Sequence, residues 1–289
     1  MWFWYGLGSA LVSALSIILN KKALKNINAS LVSWALFSFS IPFLIYPAFK
    51  DGLPKLNYIF WITTTVSVVS FAYLKTLALQ SLKGSLMSEV VPLAFFSVLS
   101  SYIFGLIFLS ESLKIFPLIG LFLIIVGGYL LKVEEAKEDF FRPFKLLFIN
   151  KGPRTYLFAM VMMPLTSIFD KFALNNIQPV NQSFLLLLEN AMTTVLIGFY
   201  MTKKDKKWLG DLKNNFWSLC LNGIVYTGLA LFFLYGITTG AVALVSGIKK
   251  LEVFFVLLLG WFLFGDKPKR GVWLGSLIML LGVILIKIG

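Results

Sequence analysis

One apolar stretch of the chain, residues 240–264, is long enough to cross a bilayer and carries three charged side chains near its middle. It reads GAVALVSGIKKLEVFFVLLLGWFLF, and about 20 apolar residues in a helix span the hydrocarbon core. A charge at the bilayer centre costs about 2.5–3.5 kcal/mol on insertion scales, so Lys249, Lys250 and Glu252 need partners, water or a ligand. The fold must therefore provide a polar environment inside a membrane.

The spacing of these charges predicts which of them lack a local partner. Lys249 and Glu252 are three residues apart and can face each other on one side of a helix. Lys250 points about 160° away from Glu252 and shares its side with Ser246 and Gly247, where we expect a helix irregularity. We predict that Lys250 and Lys249 bind an anionic substrate group and that Ser246 and Glu252 also belong to the substrate site. The alternative is a buried salt-bridge pair that only holds helices together, with Glu252 neutralising Lys249.

The composition of the 289-residue chain indicates a polytopic membrane protein. Hydrophobic residues make up 58% and charged residues 13%, with a mean hydropathy of +0.86. We expect residues 2–20 to be a retained first span, in a multi-pass protein of the cell (inner) membrane. The net charge of +13 comes from lysines and arginines between apolar segments, which favours membrane anchors over nucleic-acid binding. The lack of histidine excludes His-based triads and His-ligated metals, so we predict no cofactor and no metal site.

The apolar segments, at about 20 residues to a span, predict an all-α fold of ten transmembrane helices. They lie at 2–20, 30–49, 57–79, 84–108, 114–132, 155–174, 181–201, 214–238, 240–264 and 270–288. Most connections are short, except for the charged segment 133–154, whose piece FFRPFKLLF is typical of an interfacial amphipathic helix. We therefore divide the chain into residues 1–132, the linker 133–154 and residues 155–289.

The two halves of the chain resemble each other in sequence. ALKNI at 23–27 recurs as ALNNI at 173–177, which places Asn20-Lys21 opposite Asp170-Lys171. At a shift of 155 residues, Gly105, Glu111, Gly120, Gly127, Leu130 and Lys132 match Gly260, Asp266, Gly275, Gly282, Leu285 and Lys287. Because each half holds an odd number of spans, the second copy enters the membrane in the opposite sense. The sequence thus predicts a five-plus-five inverted repeat, an arrangement typical of alternating-access transporters.

The repeated block also resembles a known family. GLIFLSESLKIFPLIGLFLIIVGGYLL from Gly105 and GWFLFGDKPKRGVWLGSLIMLLGVILI from Gly260 are similar to the ten-helix EamA branch of the drug/metabolite transporter superfamily. The resemblance covers nearly the whole chain and implies a substrate cavity between the halves, with spans 5 and 10 at the periphery. Lys249-Lys250 also resembles the basic pair with which nucleotide-sugar and triose-phosphate translocators hold substrate phosphate.

Span 7 holds a carboxylate with no basic residue nearby in sequence. Glu189, followed by Asn190, lies within FLLLLENAMTTVL and needs a partner from another helix. It could bind a substrate amine or take up a coupling proton or ion, or it could be the permanent structural partner of Lys250. Both interpretations are open at this point.

Further polar and aromatic residues fall inside the predicted spans. Glu89 precedes Pro92, and discontinuous helices are where transporters tend to place ligands, although a residue so near a helix start can also reach interfacial water. Lys75 could line the cavity or snorkel along its helix. Three aromatics, Trp34, Tyr73 and Tyr226, could line the cavity or serve only in packing. Asn20 and Asp170 occupy matching helix ends, where they are either gating residues or simple helix-end polar groups.

Lysine and arginine are concentrated in the loops after the odd-numbered spans, which places both termini outside the cell by the positive-inside rule. Many relatives in the superfamily are thought to have both termini inside, so charge and resemblance disagree.

The leading function is a secondary transporter of a small charged or zwitterionic metabolite, acting as a monomer or homodimer within membrane lipid. The alternatives are a flippase for a lipid-linked sugar phosphate and an intramembrane enzyme. No GxxxxGK[ST] loop for ATP is present.

Overall fold

A computed structural model describes residues 1–24, 27–83, 91–136, 141–204, 208–264 and 270–289. The helices are α1 (Trp2–Ala23), α2 (Ala29–Ser38), α3 (Ile41–Phe49), α4 (Tyr58–Lys83), a 3₁₀ turn (Val91–Phe95), α5 (Phe96–Leu109), α6 (Ile115–Ala136), α7 (Arg142–Ile149), α8 (Lys151–Met162), α9 (Pro164–Asn175), α10 (Gln182–Lys204), α11 (Trp208–Asn214), α12 (Phe216–Thr239), α13 (Val242–Lys249), α14 (Glu252–Phe264) and α15 (Arg270–Ile288). Two short strands, β1 (Lys55–Leu56) and β2 (Ile177–Gln178), pair antiparallel.

The helices confirm an all-α polytopic membrane protein. Within the described ranges, six segments are long and apolar enough to cross a membrane by length and composition: Trp2–Asn20, Ala29–Phe49, Tyr58–Ala78, Lys151–Asn175, Gln182–Lys203 and Phe216–Thr239. Three shorter helices in the described ranges are also apolar, at Leu93–Leu109, Ile115–Leu131 and Val272–Ile288. A total of ten spans stays a prediction.

Two of the spans bend where proline interrupts the helix. Pro42 lies in the first turn of α3, directly after the turn that separates it from α2, and Pro164 begins α9 directly after α8. Proline has no backbone N–H and its ring collides with the preceding turn, so it ends or kinks a helix. Both bends follow from local sequence.

The span that carries the central charges is also divided, but without proline. It consists of α13 and α14, so the expected irregularity in the helix over 240–264 is a full break. The N–H groups of Lys250 and Leu251 donate to the carbonyls of Gly247 (3.0 Å) and Ile248 (2.9 Å). These bonds reach back three residues instead of four, which tightens the backbone as in a 3₁₀ turn. The break therefore lies at the charged residues and not at Ser246-Gly247.

The two halves interlock in a way that repeats itself. Span 1 of the first half, α1, packs against α12, α13 and α14 of the second half, which form spans 8 and 9. Span 6, the equivalent of span 1 in the second half, consists of α8 and α9. It packs against α4 and α5 of the first half, which belong to spans 3 and 4. Exchange of the two halves converts one set of contacts into the other. Packing thus agrees with the internal duplication seen in the sequence.

The clearest sign of this symmetry is the crossing of α6 and α15. A Cβ built on Gly120 would meet the Gly282 carbonyl, and one on Gly127 would meet the Gly275 carbonyl at 2.6 Å. In the reciprocal direction, a Cβ built on Gly275 would lie 2.7 Å from the Gly127 carbonyl oxygen. Gly120 faces Gly282, and Gly127, further along α6, faces Gly275, which is earlier on α15. The two helices therefore run antiparallel, as an inverted repeat requires. Small residues let helix backbones approach closely in membranes.

Both chain ends lie on one face of the molecule, which we call the terminal face. A Cβ on Gly240 would lie 2.6 Å from the Trp2 side chain, and Lys287 lies over the rings of Phe3 (5.5 Å) and Trp4 (5.1 Å). The β1–β2 pair is on the same face. β1 follows span 2 and β2 follows span 6, so in both cases the chain has returned to the side on which it began. The opposite face, which carries α7 and α11, is the linker face.

Candidate functional site

Three lysines and one glutamate come together at the break between α13 and α14. Lys75, from α4, lies within electrostatic range of Lys249 and Glu252, and Lys250 lies within range of the same two residues. Lys75 is exposed although it lies in the body of α4 and faces charges on another span. We call Lys75, Lys249, Lys250 and Glu252 the lysine cluster.

The lysines of this cluster are not neutralised by direct ion pairs within the part of the chain that the structure describes. Lys249 lies over the Phe233 ring at 4.8 Å, and Lys250 over the Phe95 ring at 5.7 Å. The Ser13 hydroxyl donates a hydrogen bond to the Glu252 carboxylate. Glu252 is thus held by α1 instead of forming the predicted pair with Lys249, because the helix break changes the direction of its side chain. Aromatic faces attract cations but leave the ammonium hydrogens available to an anion.

Two carboxyl groups meet elsewhere in the structure. Glu189 of α10 lies within electrostatic range of Asp170 of α9, and the Ser67 hydroxyl of α4 donates to Asp170. Tyr226 of α12 lies within electrostatic range of both carboxyls and packs against Phe37 at 5.2 Å. The suggestion that Glu189 is the partner of Lys250 is therefore wrong for the described structure. We call Asp170 and Glu189 the carboxyl pair.

A third polar group closes the terminal face. The Lys171 ammonium lies 2.5 Å from Glu111 Oε1 and donates to the Gly240 carbonyl at 2.8 Å. Glu111 Oε2 accepts from the Val242 backbone N–H at 2.9 Å, at the start of α13. A carboxylate at a helix N-terminus is favoured by the helix dipole. We call the pair of Glu111 and Lys171 the latch. It joins the end of span 4, span 6 and the start of span 9.

Replacement of Glu111 by Gln should measure the strength of this latch. The Lys171 and Glu111 side chains are only 15% and 13% exposed, so removal of one charge strands the other. Loss of one partner of a buried pair costs about 3–5 kcal/mol, and the residual exposure puts Glu111→Gln near the lower end of that range. Denaturant unfolding of the purified protein would measure it.

The matched control is Asp51→Asn. It removes an exposed pair with Lys50 at 3.9 Å, whose side chains are 53% and 65% exposed, and should change the free energy of unfolding little. Equal effects of Glu111→Gln and Asp51→Asn would show that the latch is not a stabilising element.

The other predicted residues are distributed over several places. Asn190 is 1% exposed and donates to the Ser40 hydroxyl at 2.7 Å, next to the α2–α3 bend, so it joins helices. Asn20 donates to Ser16 at 3.3 Å. Trp34 packs against Phe39 and Trp208, at the linker face.

The three remaining predicted positions are Tyr73, Ser246 and Glu89. Tyr73 is 62% exposed and lies two residues from Lys75, on the opposite side of α4. Ser246 is partly buried on α13. Glu89 lies outside the described residues.

Sequence reasoning overlooked Ser13, Ser67 and the Glu111–Lys171 latch. Serine is common in membrane helices, so neither Ser13 nor Ser67 stands out from sequence. The latch did leave a signal, since Glu111 and Lys171 both belong to the matched positions of the internal repeat. That pattern marked the residues as important without showing that they contact each other.

Comparison with known proteins decides the family. A family model described as the EamA-like transporter family matches residues 1–133 and 151–288. The chain belongs to the EamA-like transporter family. Its membership confirms the resemblance seen in the repeated glycine-rich block and makes it a membrane transporter of the drug/metabolite type. The two matched segments nearly coincide with the two predicted repeats.

Solved structures share the fold of this EamA-like transporter. A structure titled only "Crystal structure of protein" is 13% identical, with a TM-score of 0.76, and the match covers 99% of this chain and 96% of that one. In all, 27 chains of solved structures match. No curated protein matches the sequence. At such low identity the solved structure supports the architecture alone.

Proposed function

We propose that this EamA-like transporter is a secondary transporter for a small metabolite with a phosphate or carboxylate group, and that the lysine cluster binds that group. The observation that supports it is the set of ammonium groups beside a broken membrane helix, of which Lys75 is exposed. Broken helices at mid-membrane are where transporters commonly bind substrates. Glu252 would accept from a substrate amine, which extends the range to zwitterions such as amino acids.

The contacts at the terminal face indicate how the site opens. Asn57 and Asn176 are joined by a 2.7 Å hydrogen bond beside the β1–β2 pair, and the Glu111–Lys171 latch lies on the same face. These links tie the two halves together there. We infer that the described conformation opens toward the linker face, and that transport requires the terminal-face links to separate while the halves rock.

A stability screen of the purified transporter tests the substrate class. Metabolites with phosphate or carboxylate groups should raise the melting temperature, whereas neutral analogues of the same size should not. A ligand at 100 times its Kd adds about 2.7 kcal/mol to the free energy of unfolding. Stabilisation by neutral compounds alone would contradict the proposal, and stabilisation only by a lipid-linked phosphate would favour a flippase.

The distribution of lysine and arginine supports an orientation with the terminal face outside the cell. In a Cys220→Ser background, cysteine at Asp51 should react with an impermeant thiol reagent in intact cells. Asp51 precedes β1 on the terminal face and is exposed, while Asp211 is exposed on α11 of the linker face. Cysteine at Asp211 should react only after the membrane is permeabilised. The reverse labelling pattern would place both termini in the cytosol.

A further inference from the structure

The Glu252 carboxylate has its partner on another helix, although two lysines are its neighbours in sequence. Lys249 and Lys250 precede it directly at the break between α13 and α14. All three residues belong to the described part of the chain, and no ion pair within 4.0 Å joins Glu252 to either lysine. The carboxylate accepts instead from the Ser13 hydroxyl of α1. A neutral hydroxyl therefore holds a charge that two ammonium groups could have neutralised.

Aromatic rings hold the two ammonium groups away from this carboxylate. Lys249 lies 4.8 Å from the centroid of Phe233 on α12, and Lys250 lies 5.7 Å from that of Phe95 in the 3₁₀ turn. A ring face attracts a cation but does not neutralise its charge. The two positive charges thus stay available to an anion that comes from outside the protein.

Ser13 is a buried donor that connects the two halves of the chain. It is 5% exposed, and its helix packs against α13 and α14. α1 lies in the first segment that matches the family model, and α14 lies in the second. Glu252 and both lysines all belong to the second segment, so they stay together when the halves move. Only the Ser13 bond depends on the position of the first half.

Loss of this bond would return Glu252 to the lysines. A charged group inside a membrane pairs with a nearby opposite charge, and only one residue separates Glu252 from Lys250. An ammonium group that pairs with Glu252 is no longer available to a substrate phosphate or carboxylate. Without Ser13, Glu252 would therefore compete with the substrate as an anion carried by the protein itself.

We propose that Ser13 is a positioning residue of the anion site: its hydroxyl holds Glu252 away from Lys249 and Lys250, so that the substrate neutralises them. This inference rests on the proposed function, since it names what keeps that site available. Because the bond joins the two halves, separation of α1 from α14 during rocking breaks it and lets Glu252 displace the anion. Ser13→Ala reproduces that separated arrangement.

Binding of inorganic phosphate to the purified transporter, measured by titration calorimetry at constant ionic strength, tests the positioning role. Ser13→Ala should weaken phosphate binding about tenfold, because a charge-assisted bond of Glu252 must break before phosphate binds. Glu252→Gln added to Ser13→Ala should restore the affinity, since the amide carries no competing charge. A serine with only a structural role would not be rescued in this way.

The matched control is Ser9→Ala. Ser9 lies one turn before Ser13 on α1, is 0% exposed and donates to the neutral Leu229 carbonyl at 3.4 Å. Its removal should leave phosphate affinity unchanged. Ser13→Cys covers the case in which Ser13→Ala fails to fold: it keeps nearly the shape of serine, but its thiol is a weak donor, so it should weaken phosphate binding in the same direction.

Melting temperature without any ligand gives a second measurement. Replacement of both lysines, Lys249→Met with Lys250→Met, should lower the melting temperature more in the Ser13→Ala protein than in the native or Ser9→Ala protein. The reason is that Glu252 has turned to the lysines only where Ser13 is missing, and loss of its partners then strands a half-buried carboxylate.

Three results would overturn the proposal. They are an unchanged phosphate affinity in Ser13→Ala, a loss that Glu252→Gln does not restore, and an equal effect of the lysine replacements on melting temperature in all three proteins. If the native protein binds no phosphate, the anion site of the proposed function fails instead. The melting comparison then still decides whether Ser13 controls the position of Glu252.

Discussion

Gly127→Ala should lower the stability of the protein much more than Gly228→Ala. A Cβ at Gly127 would lie 2.6 Å from the Gly275 carbonyl and 2.8 Å from the Met279 backbone nitrogen, and backbone atoms cannot move aside as a flexible side chain can. Overpacking costs about 1–3 kcal/mol and more where the backbone must shift. The crossing of α6 and α15 would have to separate, and melting temperature in detergent would show the loss.

The control position offers room for the same methyl group. A Cβ at Gly228 would meet only Val12, at an ordinary 3.7 Å, so Gly228→Ala should be neutral or slightly stabilising. The pseudo-two-fold relation adds a further expectation: Gly275→Ala should cost about as much as Gly127→Ala, since its Cβ would lie 2.7 Å from the Gly127 carbonyl. If both were tolerated like Gly228→Ala, the close crossing described here would be incorrect.

Lys250→Met should abolish most of the binding of an anionic substrate while the protein stays folded. Met keeps the length and the apolar contact with Phe95 but removes the charge. A hydrogen bond to a charged group contributes about 1.5–3 kcal/mol, so affinity should fall about ten- to a hundredfold. Because Lys250 has no ion-pair partner among the described residues, its removal strands no carboxylate. Melting temperature without ligand should stay the same or rise.

Two further variants separate binding from structure. Lys50→Met removes an exposed lysine on the terminal face and should leave affinity unchanged. Lys75→Met should also weaken binding, since Lys75 lies in the same cluster as Lys249 and Glu252. A Lys250→Met protein that binds anions normally but melts at a lower temperature would show a structural lysine instead.

Much of the architecture follows from the sequence because membranes impose simple rules on it. Apolar runs of the right length predict helices, since a backbone in lipid must satisfy its own hydrogen bonds. Internal similarity at fixed shifts predicts two equivalent halves. It also marked Gly120, Gly127, Gly275 and Gly282 as corresponding positions before their contact was known.

Side-chain partners could not be derived in the same way. A continuous helix places Lys250 opposite Glu252, whereas the break at Lys250 and Leu251 brings the two within electrostatic range and turns Glu252 toward Ser13 of α1. A change of a few backbone hydrogen bonds thus alters the partners of every charge in the span. Hydrophobic periodicity contains no information about such a local break.

The sequence by itself determined the membrane class, the repeated halves and the residues that carry charge into the bilayer, because composition and spacing depend on each segment alone. Only the tertiary structure decided which charges meet. Asp170 and Glu189 lie on different helices, and their proximity depends on how those helices turn against α4 and α12. Residues distant in sequence become neighbours through packing, and packing is a property of all the helices together.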